Sequence, residues 1–331
     1  MSNDTVKSDV LSRMRSYDPP PIAFDPRTAS EDLLRHHGLP RRPDPTKEPG
    51  LAKMWELAFS RPLNYIKAEL AINPAIKRSQ RKQNAEFGQS GWAGAIRKQQ
   101  PYHEGFEGDP RIINVNVLGQ PPKSDYSLPA TAVSAQFQVP EVLPPQVSED
   151  TTSIGFWVGL DGYVDDGPLQ AGIQAIVSGK NVTYSAWFEW YTNEIPAMSQ
   201  GATVLNLPVR PRDAVCVAVS TVQPDYGMAS ILNITTRQMT TLGIQAPANA
   251  TSLGMTAEWI VEANSDPPSP YLPYFTPVIF TGCTGQSADG NFHVEPDAQL
   301  VNILDTQTDF QPITQTFVEA SVVIVEWLAE G

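Results

Sequence analysis

An all-β fold, built of antiparallel strands stacked as a sandwich or closed as a barrel, follows from three observations on the 331-residue chain. From about residue 90 onward, roughly a dozen short β-branched and aromatic runs succeed one another, with polar residues recurring at every second position in the clearest of them. Turn chemistry separates them: Asp166-Gly167-Pro168, Ser178-Gly179-Lys180-Asn181, Arg210-Pro211-Arg212-Asp213 and Gln223-Pro224-Asp225-Tyr226-Gly227. Almost no stretch of helical period lies between the runs, which excludes the strand–helix alternation of a parallel sheet.

The N-terminal part has a different character. Residues 1–27 are polar and rich in proline (Pro19-Pro20-Pro21) and are expected to be mobile or draped over the surface. Ala29 to Gly38 reads as a short helix with Ser30 as N-cap, acids in the first turn and Gly38 as its stop. A second helix fits Pro49 to Ser60, with Leu51, Met54, Trp55, Ala58 and Phe59 on one side, and a third fits Leu63 to Ile72. A basic, solvated connector follows from Lys77 to Lys82. Residues 1–83 are therefore a basic, partly helical extension, and residues 84–331 the β domain.

Strands are expected in order over Gly91–Ile96, Val133–Val139, Ile154–Leu160, Leu169–Gln174 continuing through Ile173–Val177, Thr183–Tyr191, Thr203–Leu207, Val215–Thr221 and Met228–Thr235. Thr256–Glu262, Val278–Thr281, Gln299–Leu304 and Phe317–Val325 complete the set. Residues at about 97–130 read as an inserted loop around a short strand, Ile112 to Leu118.

Composition narrows the function. The net charge is −13, unevenly spread: residues 1–83 carry +5 and the remainder −18. An acidic body lacks the basic footprint of a nucleic-acid binder. No apolar run approaches the roughly 18 residues of a membrane span, and no apolar core of a secretory signal is visible near the N-terminus. Cys216 and Cys283 are too few for a disulfide framework or a zinc site. The four histidines, His36, His37, His103 and His293, have the spacing of neither a catalytic triad nor a metal site. No cofactor is expected, and no compartment or oligomeric state follows.

Side chains alternate faces along a strand. Gln170, Gly172 and Gln174 share one face of their strand, as do Glu258 and Glu262 of theirs. Trp157, Gly159 and Asp161 share a face, and so do Trp187, Glu189 and Tyr191. Carboxylates beside large aromatics are costly unless they face water or a partner. A wet, aromatic-lined surface explains the pattern; so does an ordinary solvent face with scattered aromatics.

Four runs carry a resemblance: W-V-G-L-D-G (157–162), L-Q-A-G (169–172), Y-S-A-W-F-E-W-Y (184–191) and A-E-W-I-V-E (257–262). In order and approximate spacing the chain resembles the glutamic peptidases, or eqolisins, and the likeness covers most of residues 90–327. The resemblance implies a concanavalin-like antiparallel β-sandwich whose concave sheet carries a catalytic Gln and Glu, here Gln170 and Glu258. It implies that Trp157, Asp161, Trp187, Glu189 and Tyr191 line a substrate cleft, that the substrate is a polypeptide, and that the enzyme is an endopeptidase acting in acid by direct attack of water. Three departures stand out: Ser185 occupies a position where family members can carry Asp, the family is typically secreted whereas no secretory signal is visible here, and the insertion at about 97–130 is not part of the motif set. Basic pro-segments are usual in the family, so the extension is expected to dock on the acidic body. Two rival readings are a carbohydrate-binding or glycoside-hydrolysing sandwich, with Glu189 and Glu258 as a carboxylate pair, and a catalytically silent interaction domain.

Overall fold

The fold is that of a computed structural model, described for residues 9–39, 41–46, 49–72, 83–84, 88–89, 91–99, 128–144, 151–163, 167–191, 201–248, 250–263, 272–288, 290–305 and 311–328. Two large sheets dominate it. The first has ten strands. Its main path runs β1 (Met14–Ser16), β12 (Gln238–Gln245), β11 (Tyr226–Asn233), β10 (Ala214–Gln223), β5 (Ala130–Gln138), β14 (Val278–Ser287), β18 (Val322–Trp327) and β17 (Thr314–Glu319). To it β2 (Asn64–Tyr65) adds on β12, and β15 (Gly290–His293) on β14. The second sheet has eight strands: β16 (Gln299–Val301), β4 (Trp92–Lys98), β13 (Thr256–Ala263), β6 (Thr152–Leu160), β7 (Leu169–Ser178), β8 (Asn181–Trp190), β9 (Ala202–Val204) and β3 (Leu70–Ile72). Pairing in both is antiparallel, apart from β2 with β12.

The sheets stack through one apolar cluster. Strand β6 gives it Ile154, Phe156, Val158 and Leu160, β7 gives Leu169, Ala171, Ile173 and Ala175, and the facing sheet adds Val215, Val217, Val219 and Phe280. Period-two alternation then sends the odd-numbered residues of β6 and β8 and the even-numbered residues of β4, β7 and β13 to the opposite face of the eight-stranded sheet. The site is built on that face.

Two helices, α1 (Glu31–His36) and α2 (Pro49–Phe59), lie where the sequence puts them. Ser30 caps α1, its hydroxyl accepting from the Leu33 amide at 3.3 Å. Leu34, Leu39, Trp55 and Phe59 pack on Leu232 and Met239, on the side of the ten-stranded sheet away from the sandwich core.

Three expectations are corrected. Leu63 to Ile72 is not a third helix but supplies β2 and β3. The Asn64 amide bonds the Arg237 carbonyl at 2.8 Å and the Ile66 amide bonds Met239 at 2.8 Å, so sheet pairing overrides a helix-compatible run. Residues 14–16 are not draped loosely but form β1 on β12. Strand β12 itself escapes the alternation rule: Leu242 and Ile244 face the sandwich core while Met239 faces the helices, so both its sides are buried. The expected strand Phe317–Val325 is a hairpin turning at Ala320, whose φ of 48° carries no glycine or asparagine signal. The connector at 77–82 and the strand expected at 112–118 lie outside the described residues.

Candidate active site

The register of the eight-stranded sheet sets one row of residues side by side: Ile96 on β4, Glu258 on β13, Gly159 on β6, Gln170 on β7 and Glu189 on β8. Glu258 and Gln170 are thus separated by one strand, about 10 Å between backbones. That intervening strand presents Gly159, which has no side chain. A Cβ there would meet Trp157 Cζ3 at 2.9 Å and the Leu169 carbonyl oxygen at 3.2 Å. The gap between the Glu and the Gln therefore depends on a glycine in the middle of a strand.

Glu258 is fully buried. Its Oε1 accepts from the Tyr163 amide at 3.0 Å and from the Thr256 hydroxyl at 2.9 Å. Gln170, also fully buried, donates from Nε2 to Glu189 Oε2 at 2.6 Å. A carboxylate only accepts, so Glu189 dictates which end of the Gln170 amide turns toward it. Gln170 Oε1 is left buried without a hydrogen-bond partner among the described residues.

The neighbouring row is aromatic. Trp157 on β6 and Trp187 on β8 flank Gly172 on β7, whose Cβ would lie 2.6 Å from that of Trp157. Trp157 stacks edge-on against Trp92 with centroids 5.0 Å apart, and its Nε1 donates to Glu262 Oε2 at 3.0 Å. Trp92, Ile96, Trp157, Trp187, Ile260 and Val301 form their own buried cluster beside the site, with Tyr163 against it.

The sequence-derived residues do not all share one place. Gln170, Glu258 and Glu189 stand in one row, with Trp157 and Trp187 in the next. Tyr191 follows the end of β8 and is buried, its amide bonded to the Pro168 carbonyl at 2.9 Å. Asp161 turns elsewhere. It adopts a φ of 67°, and its carboxylate accepts from the Ser252 hydroxyl (2.7 Å) and from the amides of Leu253 (2.8 Å), Gly254 (3.0 Å) and Met255 (2.7 Å). Burial pushes its carboxyl above the ordinary value, opposed by these hydrogen bonds. Asp161 thus fixes the loop that leads into β13. Thr256 and Ser252 went unremarked in the sequence; Thr256 stands two residues before Glu258, and the same alternation that paired Glu258 with Glu262 would have exposed it.

Neither thiol suits nucleophilic work. Burial raises the Cys216 thiol to about 12 and raises that of Cys283 as well, and the two are not joined.

Residues 117–327 match the sequence pattern of the Peptidase A4 family, which is well over half of the chain. The chain belongs to the Peptidase A4 family. Among curated relatives in the A4 family's neighbourhood, aspergillopepsin-2 of Aspergillus niger is 27% identical over 174 residues, 52% of this chain and 58% of that protein. Scytalidopepsin B of Scytalidium lignicola is 28% identical over 175 residues, 50% of this chain and 64% of the relative. The match thus spans about three fifths of the length of these relatives. Scytalido-glutamic peptidase, solved with a transition-state analogue inhibitor, superposes with a TM-score of 0.53 at 22% identity, covering 72% of this chain and 98% of the other. At that identity the superposition shows that the A4 chain shares its fold.

Proposed function

We propose that the protein is an acid-acting endopeptidase that cleaves peptide bonds by direct attack of water, with Glu258 as general base and acid and Gln170 as the oxyanion partner. The observation that carries this reading is the row Glu258–Gly159–Gln170–Glu189. A scissile amide laid over Gly159 has a carboxylate on one side and a neutral amide on the other. The attacking water gives a proton to Glu258 while Gln170 Oε1 accepts its second O–H, and the oxygen adds to the carbonyl carbon. The N–H of Gln170 Nε2 not used by Glu189 donates to the developing oxyanion without adding charge. Glu258 then returns the proton to the leaving nitrogen, and the C–N bond breaks. No acyl-enzyme forms.

Family membership supports a peptidase, and the −18 carried by residues 84–331 favours acid, where protonation relieves self-repulsion. A glycosidase pair is poorly served. Glu189 is spent on Gln170, and three strand spacings, about 14 Å, separate it from Glu258, against carboxyl separations of roughly 5–10 Å in such enzymes.

The test is digestion of denatured casein across acidic pH, alongside a polysaccharide panel. Peptides should appear increasingly below about pH 6, undiminished by serine-, cysteine- or metal-directed inhibitors, with the polysaccharides intact. Complete loss with a chelator, or sugar release without peptide release, would overturn the reading.

A further inference from the structure

On the far side of the ten-stranded sheet, away from the candidate active site, the N-terminal segment roofs a cavity of about 290 Å³. We propose that this cavity binds a small apolar molecule carrying an uncharged carboxamide or lactam, read by Asn291. The proposal is independent of the peptidase reading.

The cavity follows from its floor. Register sets Thr284 on β14, Ser134 on β5, Ala218 on β10 and Ser230 on β11 in one row. Gln286, Ala132, Ser220 and Met228 form the next row, and Asn291 on β15 extends it beyond Gln286. Serine and alanine leave the middle of this surface low, while the helices pack on the bulkier Leu232 and Met239. Leu34, Leu39, Pro43 and Trp55 therefore roof a gap instead of closing on the sheet. Protein interiors are close-packed and hold few voids larger than a water. At about 290 Å³ this one approaches the lower end of the roughly 300–1,000 Å³ of small-molecule sites. Val222 on its wall is 50% exposed, so the cavity reaches the surface.

Several of the polar groups around it hold one another. The Ser134 and Thr284 hydroxyls lie 3.0 Å apart, those of Ser230 and Thr241 lie 3.1 Å apart, and the Arg41 guanidinium donates to the Gln286 amide oxygen. Asn291 differs. Its Nδ2 and Oδ1 are both buried, and neither has a hydrogen-bond partner among the described residues. Phe292 beside it packs on the sandwich core, so alternation turns Asn291 to the cavity side.

An amide unpaired at both ends calls for a donor and an acceptor side by side. A carboxylate would satisfy only the nitrogen and an ammonium only the oxygen, each leaving the other end buried at a cost. A carboxamide presents N–H beside C=O and satisfies both, whichever way the Asn291 amide is turned. The apolar remainder of the ligand then meets Leu34, Leu39 and the Trp55 ring.

The experiment titrates benzamide, benzoate and benzylamine, similar in size, into the full chain labelled with 5-fluorotryptophan. Trp55 lines the cavity, and its fluorine resonance is assigned with Trp55→Phe. Benzamide should shift that resonance saturably and bind at least about tenfold more tightly than either charged analogue. Ala218→Leu fills the floor and should abolish the shift. Asn291→Asp keeps two acceptors and loses the donor. It should weaken benzamide at least about tenfold and make benzylamine the tightest of the three, an inversion that unfolding cannot produce. No shift of Trp55 with benzamide, equal binding of the three, or an order unchanged in Asn291→Asp would overturn the proposal, and water would then be what fills the cavity.

Discussion

In the proposed mechanism Glu189 acts through Gln170, whose amide it holds by the 2.6 Å bond from Nε2. Glu189→Gln keeps an acceptor oxygen and should stay within about tenfold of wild-type kcat/KM, whereas Glu189→Leu frees the amide to rotate and should lose about 10²-fold, read on a fluorogenic peptide. A variant with leucine as active as one with glutamine would show that Gln170 needs no orientation. Gly159→Ala places a methyl against the Trp157 ring and into the gap, and should abolish turnover while leaving the chain folded, as circular dichroism would report. At this scale the sequence was partly legible. Gln170 and Glu258 stand out because strand alternation puts them on a polar face and because four motifs recur in family order. The Gln170–Glu189 bond was hidden, since it depends on the β7–β8 register, and no spacing within one strand reveals a partner on the next.

Among the elements, β13 depends on the loop before it, and that loop depends on Asp161. The raised carboxyl of Asp161 means that the folded chain holds this proton more tightly than the unfolded one. Its contribution to stability is therefore present in acid, below the unfolded value of about 4, and is lost as pH rises through the folded value. Melting temperature should fall over that range, and Asp161→Asn should flatten this part of the profile while lowering stability in acid by about 1–3 kcal/mol, because its amide nitrogen faces N–H groups. A profile unchanged by the substitution would contradict the assignment. Strands that alternate apolar residues with polar ones, such as β7, β8 and β13, were readable from that alternation. Strand β12 was not, because helices cover its second face, and β2 and β3 were not, because their conformation comes from partners far along the chain.

The N-terminal segment pairs with both sheets. β1 and β2 extend one sheet and β3 extends the other, and the Ser16 hydroxyl bonds the Ala68 carbonyl at 2.7 Å within the segment. Thr240 Oγ1 bonds the Ile66 carbonyl at 2.8 Å, while Trp55 and Phe59 are 5% exposed against Leu232 and Met239. Charge attraction between the +5 extension and the −18 remainder was visible in the sequence; edge-strand pairing was not, because it is settled by two distant parts of the chain. Cleavage anywhere between residues 73 and 90 should therefore leave the fragments together through gel filtration near pH 4, separating only in denaturant. Release of an intact N-terminal fragment in acid, with a rise in activity, would mark it as a pro-segment instead. Trp55→Ala should lower global stability by about 3–5 kcal/mol, measured by urea unfolding.

In the proposed mechanism Glu258 and Gln170 act as one unit on one peptide bond, and a double-mutant cycle on kcat/KM near pH 4 tests this most directly. Glu258→Ala and Gln170→Ala should each lose at least about 10²–10³-fold, and the double variant should be little worse than the weaker single one. Near-full activity in either single variant, or losses that multiply in the double, would contradict the account.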